Sequence, residues 1–227
     1  KRKYSVREYT GKLIPDVAIL DPIFSVTMPR RGTVGCGMDA LTHAIESYVT
    51  PLANPFSDAQ AIGAWIYGYR ALPICANEPD NLQARGDMLA ASCLAGISFS
   101  NCALGICHGV AHTFGATYGI PHGLANAVAL PYSIDFNANH DSHARKRYEE
   151  LATFVGKNDL KKTIIDLRRQ LDVPATMKEL VPDEGTFNTD FDTLVQKVLT
   201  DVATPANPVK ITEEYASEML RRVYYGE

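Results

Sequence analysis

The segment GMDALTHAIESY, residues 37–48, specifies a fold more strongly than any other part of the chain. Its apolar residues recur at steps of three and four, the spacing of one helix face, at Met38, Leu41, Ile45 and Tyr48. Asp39 and His43 are four residues apart, so on a helix their side chains share a face, with Cβ atoms about 5–6 Å apart. The segment therefore predicts an amphipathic helix that presents a carboxylate beside an imidazole.

Three more histidines lie close together further along the chain, at His108, His112 and His122. His108 and His112 are four residues apart, as Asp39 and His43 are. A divalent metal needs convergent donors, and pairs at this spacing on a helix supply them with little loss of conformational freedom. A single pair is more often a surface feature or a satisfied polar group in the core. Three imidazoles in an apolar, glycine-rich segment are costly to bury without a partner, however, and this joint pattern favours a metal site. His140 and His143 lie among Asn and Asp residues and are predicted to be surface loop residues.

Helical patterns cover most of the chain after residue 37. A second helix is predicted from residue 54 toward Pro73. The proline-free stretch 82–117 predicts a central helix whose Ala, Gly, Ser and Cys residues allow close packing on all sides. We expect further helices, separated by prolines such as Pro131, near 123–130, 143–156, 158–171, 186–201 and 211–224. Residues 15–22 form an apolar run bounded by prolines, which predicts a buried strand.

Composition excludes several classes of protein. The 227 residues are 46% hydrophobic and 21% charged, as in ordinary globular domains. With 22 basic residues against 26 acidic ones, there is no electrostatic basis for binding nucleic acid or an anionic membrane. We see neither a membrane-spanning apolar run nor a signal peptide. The five cysteines form no Cys-x-x-Cys pair, so we expect reduced thiols in a cytoplasmic protein rather than a zinc–thiolate site.

Residues 35–40 match the Gly-x-Gly-x-x-Ala spacing of a dinucleotide-binding turn, and Asp58 lies near the expected acidic position. That fingerprint works only where a strand runs directly into the glycine turn. Here the sequence Pro-Arg-Arg-Gly at residues 29–32 interrupts before it, and residues 44–72 are predicted to be helical rather than to include the next strand. We therefore interpret the match as coincidental.

Residues 37–48 closely resemble a signature of the iron-containing (group III) alcohol dehydrogenase family. A second signature is similar to residues 105–112, Gly-Ile-Cys-His-Gly-Val-Ala-His, and continues at residues 120–127, Ile-Pro-His-Gly-Leu-Ala-Asn-Ala. Residues 56–58 and 224–226 look most like the alcohol dehydrogenase module of bifunctional alcohol/aldehyde dehydrogenases. The matches are long and in the family's order, and together they resemble its C-terminal helical metal-binding domain.

This resemblance implies the dehydroquinate synthase-like fold of iron alcohol dehydrogenases and a metal with four ligands, which would be Asp39, His43, His108 and His122. His112 would lie near the nicotinamide, with a catalytic or cofactor-binding role, and Lys3 would help to bind the cofactor. Iron(II) is the first choice of metal, with zinc possible because zinc-dependent glycerol dehydrogenases share the architecture. NAD or NADP would exchange hydride with a small primary alcohol or its aldehyde.

Family members are longer and begin with a nucleotide-binding α/β domain, which we expect to be absent here. Residues 1–22 would then be an extended remnant of that domain and residues 23–227 the helical metal-binding catalytic domain. A chain of this kind would be inactive alone. Three alternatives stay open: a catalytically incompetent metal-binding fragment, a zinc-dependent glycerol dehydrogenase-like enzyme and a non-enzymatic helical interaction module. Apolar surface around residues 14–24 predicts a homo-oligomer.

Overall fold

The computed structural model describes residues 15–181 and 183–226, and within them the chain forms nine α-helices, three short 3₁₀ helices and no β-strand. The predicted mostly α-helical class is confirmed. The α-helices are α1 (Arg30–Val49), α2 (Pro55–Asn77), α3 (Leu82–Cys102), α4 (Ile106–Tyr118), α5 (His122–His140), α6 (Ser142–Phe154), α7 (Leu160–Gln170), α8 (Glu184–Thr200) and α9 (Glu213–Tyr225). The 3₁₀ helices span Pro22–Ser25, Met177–Glu179 and Thr204–Ala206.

Helix α1 lies at the centre of the fold, packed against α2, α3 and α5. It begins at Arg30, directly after Pro29, and so includes both glycines of the Gly-x-Gly match. The rejection of a dinucleotide-binding turn is therefore confirmed, because a helix cannot form that turn. The predicted apolar stripe is fully buried, with Met38, Leu41 and Ile45 each 0% exposed.

The two glycines of the match, Gly35 and Gly37, instead allow neighbouring helices to approach closely. A Cβ atom added at Gly37 would lie only 2.3 Å from Leu72 Cδ1 on α2. On α5, a Cβ atom added at Gly123 would lie 2.1 Å from the carbonyl oxygen of Gly35. Helices α1 and α5 therefore touch backbone to backbone here, which brings the first turn of α5 beside the part of α1 that carries Asp39.

The prediction of one long helix over residues 82–117 is wrong, because α3 ends at Cys102 and α4 starts at Ile106 after a bend of 105°. Distant side chains stabilise the new helix start: Asn207 Oδ1 accepts the Ile106 N–H at 3.1 Å, and Glu46 Oε1 accepts the Cys107 N–H at 2.8 Å. The prediction that this segment packs closely on all sides is also wrong, since Ile97 on α3 is 47% exposed.

Among the described residues, no single helix is long and apolar enough to cross a membrane. Helices α3 and α4 reach that length and hydropathy only when taken together, across their bend.

Two prolines expected to end helices lie inside them instead. Helix α2 continues past Pro73, and α5 continues past Pro131 for a further nine residues. A proline in a helix interior costs about 3 kcal/mol because it removes a hydrogen bond and crowds the preceding turn. Helix α5 packs against α1, α4, α6, α7 and α9, and the buried surface of these contacts outweighs that cost.

The buried strand predicted over residues 15–22 is wrong. Residues 15–21 have no regular secondary structure and are exposed, with Val17 at 76% and Ile19 at 86%. A strand needs a partner strand for its backbone hydrogen bonds, and the described residues contain none. The division of the chain at residue 22 stays a prediction.

Candidate metal centre

Two donors of the candidate site come from one face of α1. Asp39 Oδ2 and His43 Nδ1, one helical turn apart, are separated by 3.9 Å. His108 Nε2, from α4, lies 3.6 Å from Asp39 Oδ1, and His122 Nε2, from the start of α5, lies 3.2 Å from the same oxygen. One potential ligand atom from each residue lies within 4.8 Å of all the others. Three separate helices thus bring the four predicted ligands together.

The cluster has a buried side and an accessible side. The side chain of His108 is 1% exposed, whereas that of His122 is 34% exposed. The His43 ring stacks on Phe99 and on His108, with ring centroids 4.4 Å and 4.5 Å apart respectively. Because Phe99 belongs to α3, a fourth helix restrains this imidazole, and a restrained side chain loses less entropy when it binds a ligand.

Burial and neighbouring charges shift the pKa values of the donors in opposite directions. Burial, together with repulsion from His108, lowers the pKa of His43 to about 3, so this imidazole is neutral and can offer a lone pair. Burial also disfavours charge on His108, but hydrogen bonds to Asp39 and Glu46 prevail and raise its pKa to about 9. Burial opposes ionisation of Asp39, yet hydrogen bonds to His108 and His122 hold the pKa of its carboxyl below the usual range. The cluster therefore contains an ionised carboxylate.

Asn126 lies at the centre of this cluster, although the sequence reasoning missed it. Its Nδ2 donates to Asp39 Oδ1 at 2.6 Å and lies 3.1 Å from Nε2 of both His108 and His122. The amide thus presents electropositive N–H groups to the same atoms that would face a cation. The available signal was its position four residues after His122, on the same face of α5.

Glu46, three residues beyond His43 on α1, contacts the cluster from its buried side and was also missed. Its side chain is 4% exposed, with Oε2 2.5 Å from Nδ1 of His108 and Oε1 2.8 Å from the backbone nitrogen of Cys107. An acidic residue inside an otherwise buried helix was the signal, because such a residue needs a partner.

His112 lies beside the four-residue cluster rather than in it. Its ring stacks on His122 with centroids 5.1 Å apart, and its Nδ1 lies 2.9 Å from Oδ2 of Asp201 at the end of α8. The side chain is 37% exposed, so it faces the accessible side of the site. Nothing in the sequence predicts that Asp201 contacts His112, because the two residues are 89 positions apart in the chain.

The remaining predicted positions lie elsewhere. Lys3 is outside the described residues, so its role in cofactor binding stays a prediction. His140 and His143 are not in a loop: His140 is the last residue of α5, with Nδ1 2.8 Å from the carbonyl oxygen of Phe136, and His143 is near the start of α6. The predicted exposure of both histidines is confirmed, and neither belongs to the donor cluster.

An all-helical domain in which one carboxylate and three imidazoles converge defines a class of protein suited to a divalent metal. Residues 33–224 match the model of the Fe-containing alcohol dehydrogenase family, C-terminal. The chain belongs to this family and contains its C-terminal domain.

Individual relatives agree with the family match. The NADPH-dependent butanol dehydrogenase of Clostridium saccharobutylicum is 36% identical over 230 residues, which cover 99% of this chain and 58% of the relative. The bifunctional aldehyde-alcohol dehydrogenase of Escherichia coli (strain K12) is 34% identical over 249 residues, or 99% of this chain and 28% of its own length. The expected resemblance to bifunctional enzymes is thus confirmed, alongside single-function relatives.

A solved structure shares the fold as well. The iron-containing alcohol dehydrogenase of Thermococcus thioreducens superposes with a TM-score of 0.88 at 41% identity, covering 94% of this chain and 56% of that one. The chain therefore spans little more than half the length of the butanol dehydrogenase and of this structural relative.

Proposed function

We propose that this chain supplies the metal-binding catalytic part of an iron-dependent alcohol dehydrogenase, which transfers hydride between a small primary alcohol or aldehyde and NAD or NADP. The observation that carries the proposal is the convergence of Asp39, His43, His108 and His122 within 4.8 Å in a member of this family. The activity of the whole protein is part of the proposal, because the chain spans only 58% of a relative that is named for such an activity.

The donor set fits one divalent ion. Ligand bonds of about 2.0–2.2 Å place two donors of a tetrahedral ion roughly 3.4 Å apart. The separations of 3.2–3.9 Å between a carboxylate oxygen of Asp39 and the three imidazole nitrogens are close to this value, and the four donors lie within 4.8 Å of one another. One carboxylate and three imidazoles suit both iron(II) and zinc, and donor type alone does not choose between them. Iron is proposed on the basis of the family.

A divalent cation held here would act as a Lewis acid toward an alcohol or carbonyl oxygen, while the hydride chemistry belongs to the nicotinamide. The protein would hold the reacting groups in position and transfer a proton. Because Nδ1 of His112 is engaged by Asp201, Nε2 is the ring nitrogen available to take up or release a proton beside His122. His112 would therefore act next to the cofactor, in agreement with its expected role.

The nucleotide-binding part would come from residues outside those described. Dinucleotides bind at the carboxyl ends of strands in a parallel sheet, and residues 15–181 and 183–226 contain no strand. We therefore propose that these residues bind metal but do not oxidise alcohol by themselves. Lys3 remains a proposed cofactor-binding residue.

A homo-oligomer is also part of the proposal. Val17, Ile19 and Phe24 are 76%, 86% and 85% exposed, and an apolar patch of this kind favours association. Sedimentation at increasing concentration would show a rising mean mass. A monomer throughout the concentration range would contradict this point.

The test compares His122→Ala with His143→Ala after reconstitution with iron(II) under anaerobic conditions. We expect about one bound iron per unmodified chain and per His143→Ala chain. Loss of a direct ligand should weaken binding by more than roughly 100-fold, since even outer contacts of a metal site contribute 10–100-fold. Equal iron content in the two variants would refute the site.

Activity requires a second measurement on a chain that also carries the nucleotide-binding part. Reduction of NAD or NADP by 1-butanol should depend on iron and disappear in His122→Ala. Metal binding without alcohol-dependent reduction would support the metal-binding fragment instead. Activity restored by zinc but not by iron would favour a glycerol dehydrogenase-like enzyme.

A further inference from the structure

A carboxylate that no predicted role includes lies behind the donor cluster. Glu46 is 4% exposed on α1 and points at the first turn of α4. Burial of an unpaired carboxylate costs several kcal/mol, so its two oxygens need partners. Oε1 accepts the backbone N–H of Cys107 at 2.8 Å, and Oε2 lies 2.5 Å from Nδ1 of His108. Each oxygen is thus engaged by a different group, one structural and one in the candidate metal site.

The start of α4 is shaped to hold the carboxylate of Glu46. A Cβ atom added at Gly105 would lie 2.9 Å from Glu46 Oε1, so the glycine leaves room for the approach. The start of α4, where free N–H groups and the helix dipole favour an anion, faces the same oxygen. Asn207 accepts the neighbouring Ile106 N–H, so Glu46 has only one backbone donor to satisfy.

The opposite nitrogen of the His108 ring, Nε2, faces the donor cluster. Nε2 lies 3.1 Å from Nδ2 of Asn126, an amide nitrogen that can only donate. The amide assignment is consistent, because the same Nδ2 also donates to the Asp39 carboxylate. A metal ion bound at Nε2 would take the place of any proton there, so in the ligating form of the ring Nδ1 carries the hydrogen that Glu46 accepts.

We propose that Glu46 is a positioning residue for the metal ligand His108: its Oε2 accepts the Nδ1 hydrogen and so keeps the Nε2 lone pair directed at the site between Asp39 and His122. The inference rests on the proposed metal-binding function and adds a residue to it. A carboxylate behind a histidine ligand fixes the ring orientation and makes the ring a stronger donor. Glu46 does not touch the reacting atoms; it acts through His108.

Glu46→Gln distinguishes this role from simple helix capping. The backbone N–H of Cys107 can only donate, so it retains the single oxygen of the new amide. The amide NH₂ then faces Nδ1 of His108, which must accept, and the hydrogen of the neutral ring moves to Nε2. The helix cap survives while the lone pair that would bind metal is lost. Glu46→Asp keeps the charge but is one methylene shorter, so it cannot reach both partners.

The experiment is a cobalt(II) titration followed by visible d–d absorption, with zinc affinity measured by competition. Glu46→Gln is expected to bind cobalt about 10–100-fold more weakly and to show altered d–d bands, because His108 no longer donates. Glu46→Asp should be intermediate. Glu150→Gln is the matched control, since Oε2 of Glu150 also accepts a hydrogen bond from a side chain, but from the Tyr48 hydroxyl rather than from a residue of the donor cluster. It should match the unmodified protein.

A second control perturbs the start of α4 and leaves the partner of His108 in place. Asn207→Ala removes the other acceptor at the start of α4, together with the bonds of Asn207 to Asn137 and to the Val209 carbonyl, but does not touch His108. It should therefore lower stability and leave the cobalt spectrum unchanged. Folding of each variant is followed by the fluorescence of Trp65, which is fully buried and is the only tryptophan. If Glu46→Gln does not fold, Glu46→Asp decides, and cobalt affinity equal to that of the unmodified protein overturns the inference.

The possible failures are distinguishable. If the unmodified protein binds no cobalt, the proposed metal site fails and the role of Glu46 fails with it. If His122→Ala abolishes binding but Glu46→Gln retains the full affinity and spectrum, only the positioning role is overturned. Glu46 is then a structural cap of α4.

Discussion

The backbone contact between α1 and α5 leads to the sharpest prediction, for the substitution Gly123→Ala. The added Cβ would lie 2.1 Å from the Gly35 carbonyl oxygen, about 1.3 Å short of the 3.4 Å at which ordinary contact begins. Because the obstacle is backbone rather than the end of a flexible side chain, the two helices have to move apart. Overpacking of this kind costs about 1–3 kcal/mol, which exceeds the gain of roughly 0.5–1 kcal/mol from removing a helical glycine.

The same movement acts on the candidate metal centre. His122 is adjacent to Gly123 on α5, and its Nε2 lies 3.2 Å from Asp39 Oδ1 on α1. A separation of about 1 Å between the helices pulls these donors apart, so we expect metal affinity to fall by about 10–100-fold, in line with other indirect perturbations of ligand geometry. Cobalt titration measures the affinity, and urea unfolding followed by Trp65 fluorescence measures the free energy of unfolding.

Gly96→Ala is the matched control, because Gly96 is also helical and a Cβ added there meets nothing within 4 Å. This variant should gain about 0.5–1 kcal/mol in stability from the better helix propensity and bind metal normally. If Gly123→Ala were as stable as Gly96→Ala and bound cobalt equally well, the close contact would not set the spacing of the donors.

Three further outcomes are expected. Asp135→Asn should lower the free energy of unfolding at pH 7 by about 1–2 kcal/mol, because Asp135 pairs with Lys161 and Arg222. Despite its partial burial, these partners lower the pKa of Asp135, so the stabilisation exists above the unfolded pKa of about 3.9 and is lost as pH falls through the folded value. Ala103→Gly should raise stability by about 1 kcal/mol, since φ 67° and ψ −167° at Ala103 suit glycine alone. Zinc at a hundredfold excess over its Kd should add about 2.7 kcal/mol, which EDTA removes.

Each of these outcomes has its own control. Asp166→Asn breaks an exposed pair with Lys162 and should leave the urea midpoint unchanged. If Asp135→Asn and Asp166→Asn lowered the free energy of unfolding equally, the ion pairs of Asp135 would contribute no more than an exposed pair. Ala90→Gly, in the interior of α3, should lower the free energy of unfolding by about 0.5–1 kcal/mol. If Ala103→Gly also lowered the free energy of unfolding, the backbone at Ala103 would not be strained. Asp39→Ala should show no stabilisation by zinc, and any gain equal to that of the unmodified protein would place the ion elsewhere.

Local spacing explains what could be predicted about the site. Asp39 and His43 share a helix face because four residues make about one turn, and this holds whatever the helix packs against. The convergence of His108 and His122 on that face came from the family resemblance, since no local rule relates α4 and α5 to α1. Asn126 was missed even though it shares a face with His122, because an asparagine in an apolar helix has many possible partners.

The helical class of the domain and the residue types that can bind a metal were determined by the sequence itself, because periodicity and donor chemistry are properties of neighbouring residues. Where α3 ends and α4 begins was decided by the tertiary structure. Glu46 and Asn207, distant in the chain, provide the acceptors that let a new helix start at Ile106. The same long-range packing carries α5 through Pro131 and joins Asp201 to His112. Such contacts depend on which surfaces meet in three dimensions, and a one-dimensional pattern does not contain that information.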